Sequence, residues 1–464
     1  MIIVGVPPVP GDGGGPQVIV GGGSGSGGIR PPTGTVTAAV PVPPRGATGG
    51  AVPRVPPPQA GAGPTSPPTG APPVTENRYW PGQIVVQVDR FQPTTVDDQI
   101  AQTFNLQRVS SETNALIGRR VILYRIPDQR DARSVVSQVA TDARVARAQL
   151  NWRYEINQAP GQAVASAGLQ YAVAKIRLSG ALAIARGAGV TIAVIDSGVD
   201  DRHRGLTGSV AKRFDAAGKA GAADPVHGTA IAGIIRSRGT ALGVAPDARL
   251  ISARAFFKTK GFSRAQSSTV ILLRALDWSV ASGARVINMS FAGPEDRDVS
   301  EAVATAAKRG VVMVAAAGNG GPRAKPAYPG AYPDVIAVTA TDEYDQLYTM
   351  ANQGAYIAVA APGVDVLVLT PGNGHGYTSG TSMAAAHVSG LIALVLERNS
   401  TLTLAEVKDV LRRTSRDLGA AGVDPKFGAG RIDAEALLNA VPPPDSPAIS
   451  MARSNGKDGV PPKK

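Results

Sequence analysis

From about Gly168 onward, short apolar runs alternate with helical stretches, and this alternation limits the chain to few architectures. Strands are expected at 190–195, 250–255, 286–289, 311–315 and 335–338, with helices such as 268–282 and 299–308 between them. Strands without a polar face must be covered on both sides, and crossover helices supply that cover. The expectation for 168–440 is therefore an α/β fold, a doubly wound parallel sheet with helices on both faces. It closes with Phe427-Gly428-Ala429-Gly430-Arg431-Ile432-Asp433-Ala434 and a short helix to about 440.

Ahead of it the pattern differs. Composition changes at Arg78-Tyr79-Trp80-Pro81-Gly82, after which 83–88 reads as a strand and 94–104 as a helix opened by Thr94. A strand at 120–126 follows, then a helix with Val135, Val136, Val139 and Ala143 on one face, then a strand at 145–150. Residues 78–155 thus read as a small α+β domain. Residues 1–74 hold 18 glycines, 18 prolines and no aromatic side chain, too little apolar surface to offset chain entropy, so disorder is expected there. Such a segment serves as a linker or as a ligand for proline-binding partners. Residues 441–464 read as a flexible tail.

Composition removes several functions. With no cysteine there is no disulfide, thiolate metal site or cysteine nucleophile. The formal charge of +12 is spread along the chain without a run of like charges, which argues against a nucleic-acid partner. No stretch of 18 apolar residues predicts a membrane span, and Met1 to Pro8 lacks the basic and apolar regions of a signal peptide.

Four short motifs carry candidate chemistry. Asp196 follows the apolar strand in Ile195-Asp196-Ser197-Gly198, at the strand end where open α/β sheets bind ligands; the same residues also make an ordinary turn. His227 begins His227-Gly228-Thr229-Ala230, whose small residues let a helix run close beneath a site. A histidine suits proton transfer near neutral pH, and His203, His375 and His387 are its rivals. Ser382, in Gly380-Thr381-Ser382-Met383-Ala384, enters a small-residue helix whose N-terminal N–H groups favour developing negative charge; a plain helix cap is the alternative. Asn319 lies in Ala317-Gly318-Asn319-Gly320, after a strand, where Asn-Gly also makes a turn.

In the order Asp196, His227, Asn319, Ser382 the chain resembles the subtilisin-like serine peptidases, over about 168–440. Val244-Ala245-Pro246, Asn288-Met289-Ser290, Tyr328-Pro329-Gly330 and Ala361-Pro362-Gly363 are similar to landmarks of that family. Ala230 departs from its usual second histidine, which is not a triad member. The resemblance implies a serine endopeptidase with Ser382 as nucleophile, His227 as base and Asp196 orienting the base, acting through an acyl-enzyme. Asn319 and the Ser382 N–H would form the oxyanion hole. Ser290, Phe291, Ala292, Gly293, Ala315, Ala316, Ala317 and Ala327 would bind substrate, and the lack of acidic residues there implies broad or apolar specificity. Residues 258–266 would lend an edge strand to the substrate, with Lys258, Lys260 and Arg264 either favouring acidic outer residues or, as the preferred reading, making a solvated basic loop.

The same resemblance makes 78–155 a ferredoxin-like propeptide that inhibits the enzyme until it is cut away between about 155 and 170. It also implies a secreted or cell-envelope protein, polypeptide substrates and a monomer. No cofactor is required by this chemistry. The usual calcium loop would fall at 236–243, which is short, basic and without carboxylates, so calcium is not expected there.

Overall fold

Apolar strands such as Ile192-Ala193-Val194-Ile195 and Val312-Met313-Val314 have no face to give to water, and they meet in one parallel sheet. The computed structural model describes residues 75–156, 162–163, 170–222, 224–239 and 241–444. The proline- and glycine-rich stretch 1–74, most of the segment expected to be cut and the tail beyond 444 lie outside the described residues.

The N-terminal unit runs β1 (Tyr79–Asp89), α1 (Thr95–Thr103), β2 (Gln107–Asn114), β3 (Arg119–Arg125), α2 (Ala132–Val139) and β4 (Val145–Glu155). β1 pairs antiparallel with β3 and β4, and β3 with β2, giving the sheet order β2-β3-β1-β4 of a ferredoxin-like β-α-β-β-α-β unit. Asp131 caps α2 by accepting from the Ser134 N–H at 2.9 Å. Three details depart from the expectation. β2 was not expected, because its residues are polar and largely exposed on a sheet edge. Ala143 lies beyond the end of α2, in a turn, and is exposed. β4 continues past 150 to Glu155 because its last residues find a partner strand outside the unit.

The chain continues through β5 (Gln162–Ala163), α3 (Tyr171–Lys175), α4 (Leu178–Leu182), β6 (Thr191–Asp196), β7 (Val210–Asp215), α5 (Val226–Arg236) and β8 (Arg249–Arg254). β9 (Gln266–Ser268), α6 (Thr269–Ala281), β10 (Val286–Met289), α7 (Arg297–Lys308), β11 (Val312–Ala316), β12 (Val335–Thr341) and β13 (Ile357–Pro362) follow. The last elements are β14 (Val366–Thr370), β15 (Gly374–Thr378), α8 (Thr381–Arg398), α9 (Leu404–Thr414) and α10 (Ala434–Ala440).

Seven strands form the parallel sheet in the order β13-β12-β11-β10-β6-β8-β7. Chain order reverses beside β6, so the carboxyl end of that strand opens at a switch point, the usual place for a ligand. The edge strands β7 and β13 were not anticipated; β7 is half polar and mostly exposed. α5, α8, α9 and α10 share one apolar cluster with one face of the sheet. α6 and α7 share the other cluster, which continues without a break into the N-terminal unit. Among the described residues no helix is long and apolar enough to cross a membrane.

Candidate active site

Asp196 is the last residue of β6 and is 1 % exposed. Its Oδ1 accepts from the Ser197 N–H at 2.7 Å, and both carboxylate oxygens lie 2.9 Å from His227 Nδ1. A carboxylate only accepts, so Nδ1 carries the proton and Nε2 is left with a free lone pair. His227 stands in the first turn of α5, and Gly228 allows that helix to approach: a Cβ there would fall 2.0 Å from the Gly198 carbonyl oxygen. Nε2 is buried and has no hydrogen-bond partner.

Ser382 occupies the first turn of α8, where backbone N–H groups lack partners within the helix. Its hydroxyl donates to the Ser290 carbonyl at 3.2 Å rather than to His227, so engaging Nε2 requires the hydroxyl to give up that bond. Ser290 Oγ in turn donates to the Ser382 carbonyl at 3.1 Å and accepts from Asn288 Nδ2 at 2.8 Å. Ser389 Oγ donates to Asn288 Oδ1 at 2.9 Å, which ties the nucleophile's helix to β10. Asn319 Oδ1 accepts from the Thr381 N–H at 3.1 Å and from Thr381 Oγ1 at 2.8 Å. Those bonds fix the amide's orientation and leave Nδ2 as its donor end. Thr381 and Asn288 stand in quoted motifs without an assigned role and Ser389 in none, since each acts only through a neighbour brought close by the fold.

The cleft beside these residues holds a strand of the same chain. Arg153, Tyr154 and Glu155 at the end of β4 pair antiparallel with Ser268, Ser267 and Gln266 of β9. On its other edge Glu155 exchanges both backbone hydrogen bonds with Ala292, at 2.9 and 3.0 Å. The Ile156 N–H donates to the Ala265 carbonyl at 3.2 Å. The stretch 258–266, expected to supply an edge strand, does so at its end, from Ala265 onward. Of its basic residues, Arg264 lies 3.5 Å from the Glu155 carboxylate, whereas Lys258 is 2.6 Å from Asp224.

Ser290, Ala292, Ala315, Ala316, Ala317 and Ala327 are brought to the same end of the sheet, and all but half-buried Ala292 are buried. Phe291 and Gly293 instead contact Tyr154, the phenyl group edge-on at 6.0 Å between ring centres. The rival histidines lie elsewhere. His203 and His375 pack on each other, with ring centres 5.7 Å apart. His387 is buried within α8, where its Nδ1 donates to the Met383 carbonyl at 2.9 Å and burial lowers its pKa to about 4.

Comparisons with known proteins identify the family. The profile of the subtilase family, Peptidase S8, matches residues 187–430. The chain is 34 % identical over 256 residues to the minor extracellular protease Epr of Bacillus subtilis, covering 54 % of this chain and 38 % of that protein. It is 36 % identical over 250 residues to a thermophilic serine proteinase of a Bacillus species, covering 52 % and 60 %. Against the subtilisin of Bacillus pumilus it is 34 % identical over 262 residues, covering 54 % and 91 %. The chain thus spans less than two thirds of the first two relatives and nearly all of the third. In fold it is similar to fervidolysin from Fervidobacterium pennivorans, with a TM-score of 0.66 at 23 % identity, over 80 % of this chain and 63 % of that one. With the family profile covering more than half of its length, this chain belongs to the subtilase family.

Proposed function

We propose that the protein is a serine endopeptidase made as a self-processing zymogen. The observation that carries this reading is the end of β4, held as an extended strand between β9 and Ala292, beside the Asp196–His227 pair and Ser382. A peptide bound by adding a strand is presented with its carbonyl groups in fixed register. In the proposed reaction Ser382 Oγ attacks such a carbonyl, its proton passes to His227 Nε2, and Asp196 stabilises the imidazolium. The Ser382 N–H and Asn319 Nδ2 hold the oxyanion. His227 then protonates the leaving amine, and water releases the acyl group by the same proton path. Side chains and backbone alone supply these steps.

The register also supports self-processing close beyond the described end of this strand. Glu155 pairs with Ala292, so an antiparallel strand continued from there runs toward Ser290, the residue whose carbonyl accepts from Ser382. The cut is then within the stretch of about 155–170 expected from sequence. Residues 78–155 serve as the inhibitor before the cut, and polypeptides take their place afterwards. An extracellular setting is consistent with the relative Epr, a minor extracellular protease.

A fluorophosphonate tests the reading directly, because it phosphonylates a serine hydroxyl only where a base and an oxyanion site activate it. Peptide mapping is expected to find the label on Ser382 and to find none in His227→Ala. Label on another serine, or none on the wild type while it degrades casein, contradicts the assignment.

A further inference from the structure

The side chain of Tyr154 enters a closed compartment whose walls come mostly from the parallel-sheet unit. It is fully buried. Phe291 meets its ring edge-on, and Phe256 backs Phe291 at 4.9 Å between centres. Gly293 lies flat beneath the ring: a Cβ at that position would fall 2.3 Å from Tyr154 Cδ1. At the far end stands Asp296, 1 % exposed, whose Oδ2 accepts from the Tyr154 hydroxyl at 3.1 Å and from Thr269 Oγ1 at 2.7 Å. Its Oδ1 caps α7, accepting from the Asp298 and Val299 N–H groups at 3.0 and 3.3 Å, and takes Gln149 Nε2 at 2.9 Å. Tyr332 holds the same residue by its backbone, the hydroxyl donating to the Asp296 carbonyl at 2.8 Å.

A compartment of this shape accepts a flat ring, and its buried carboxylate requires a donor at the ring's far tip. Phenylalanine fills the walls but leaves Asp296 Oδ2 short of one hydrogen bond, and a buried acceptor left unmatched is costly. Leucine loses both the ring contacts and the donor.

We propose that Phe291, Gly293, Asp296 and Tyr332 form a tyrosine-reading subsite, with Asp296 as the specificity-determining residue. The enzyme would thus favour polypeptides with tyrosine directly before the residue that pairs with Ala292. The inference rests on the endopeptidase reading and narrows the broad or apolar specificity expected from sequence.

The test uses enzyme that has processed itself and quenched fluorogenic peptides carrying residues 151–161, with tyrosine, phenylalanine or leucine at position 154. The expected kcat/KM is about 10- to 100-fold higher for tyrosine than for phenylalanine, the worth of one hydrogen bond to a charged acceptor, and lower still for leucine. Asp296→Asn keeps the volume and an acceptor for the α7 cap, and it is expected to compress the tyrosine-to-phenylalanine ratio. The substrate comparison stands even where that variant fails to fold. Equal or better cleavage of the phenylalanine peptide overturns the inference and leaves the endopeptidase reading intact. So does degradation of casein with none of the three peptides cut. If casein is also untouched, the endopeptidase reading fails, and the subsite with it.

Discussion

On one face of the parallel sheet α5 and α8 bury small and apolar side chains; on the other, α6 and α7 meet the N-terminal unit through charged and hydrogen-bonding groups. From Met383 to Leu396 the only polar side chains of α8 are His387 and Ser389. On the opposite face Arg147 of β4 reaches Asp298 and Glu301, each at 2.9 Å, while Gln149 and Tyr154 converge on Asp296. Arg274 of α6 pairs with Glu112, Asn114 Nδ2 donates to the Leu273 carbonyl at 3.0 Å, and Trp80 Nε1 to the Ser267 carbonyl at 3.0 Å. Apolar contacts such as Trp80 on Phe257 run between these polar ones. On the zymogen reading proposed above, the difference separates a permanent interior from a surface that parts after processing. A permanent core needs no groups that water can satisfy, whereas surfaces that separate keep a larger polar share.

The largest expected effect leaves both faces untouched. His227→Ala is expected to lower peptide turnover by about 10⁴- to 10⁶-fold with the near-ultraviolet circular dichroism of the folded protein retained. A variant that loses its fold instead would make His227 part of the packing rather than of the chemistry.

Next come two substitutions that should behave differently before and after processing. In a Ser382→Ala background, which keeps the chain whole, Leu391→Ala in α8 is expected to cost about 2–5 kcal/mol in urea unfolding. Arg147→Ala strands the buried Asp298 carboxylate and is expected to cost roughly 1–3 kcal/mol in the same background. In active protein that has shed its N-terminal unit, the Leu391 cost remains and the Arg147 cost disappears. An equal Arg147 cost in both forms would erase the contrast between the faces.

The smallest effects are titrations of opposite sign. Burial, reinforced by Asp296, raises the Asp298 carboxyl to about 6 despite the pull of Arg147. Between about pH 4 and 6 the folded chain therefore holds a proton that the unfolded chain has released, and this contribution to stability is lost as pH rises through 6. His387 runs the other way. With its pKa lowered to about 4, its contribution is present above the ordinary histidine range and is lost as pH falls through 4. In stability measured from pH 4 to 7, Asp298→Asn is expected to remove the first slope and His387→Gln the second. Unchanged profiles would show that neither group titrates with folding.

The sequence made the permanent parts of the molecule legible. Continuous apolar runs mark β6, β8, β10, β11 and β12 because both faces of those strands are covered. Asp196, His227, Asn319 and Ser382 each stand in a local motif at a strand end or helix start. The polar edge strands β2 and β7 went unread, since neither alternation nor an apolar run distinguishes them from loops. The extension of β4 to Glu155 was equally silent, because its cause is pairing with β9 more than a hundred residues away. Asp296 went unread, both as the cap of α7 and in its meeting with Tyr154, which joins positions 142 residues apart. The nucleophile's hydrogen bond to Ser290 rather than to His227 is likewise a fact of geometry that no motif encodes.

The most direct test of the account is the intact mass of purified wild type beside Ser382→Ala after incubation at neutral pH. The account predicts that wild type loses about 155 to 170 N-terminal residues while Ser382→Ala stays whole. Cleavage of both at the same bond would assign the cut to another peptidase, and a wild type that stays whole and leaves casein intact would contradict the proposed self-processing endopeptidase.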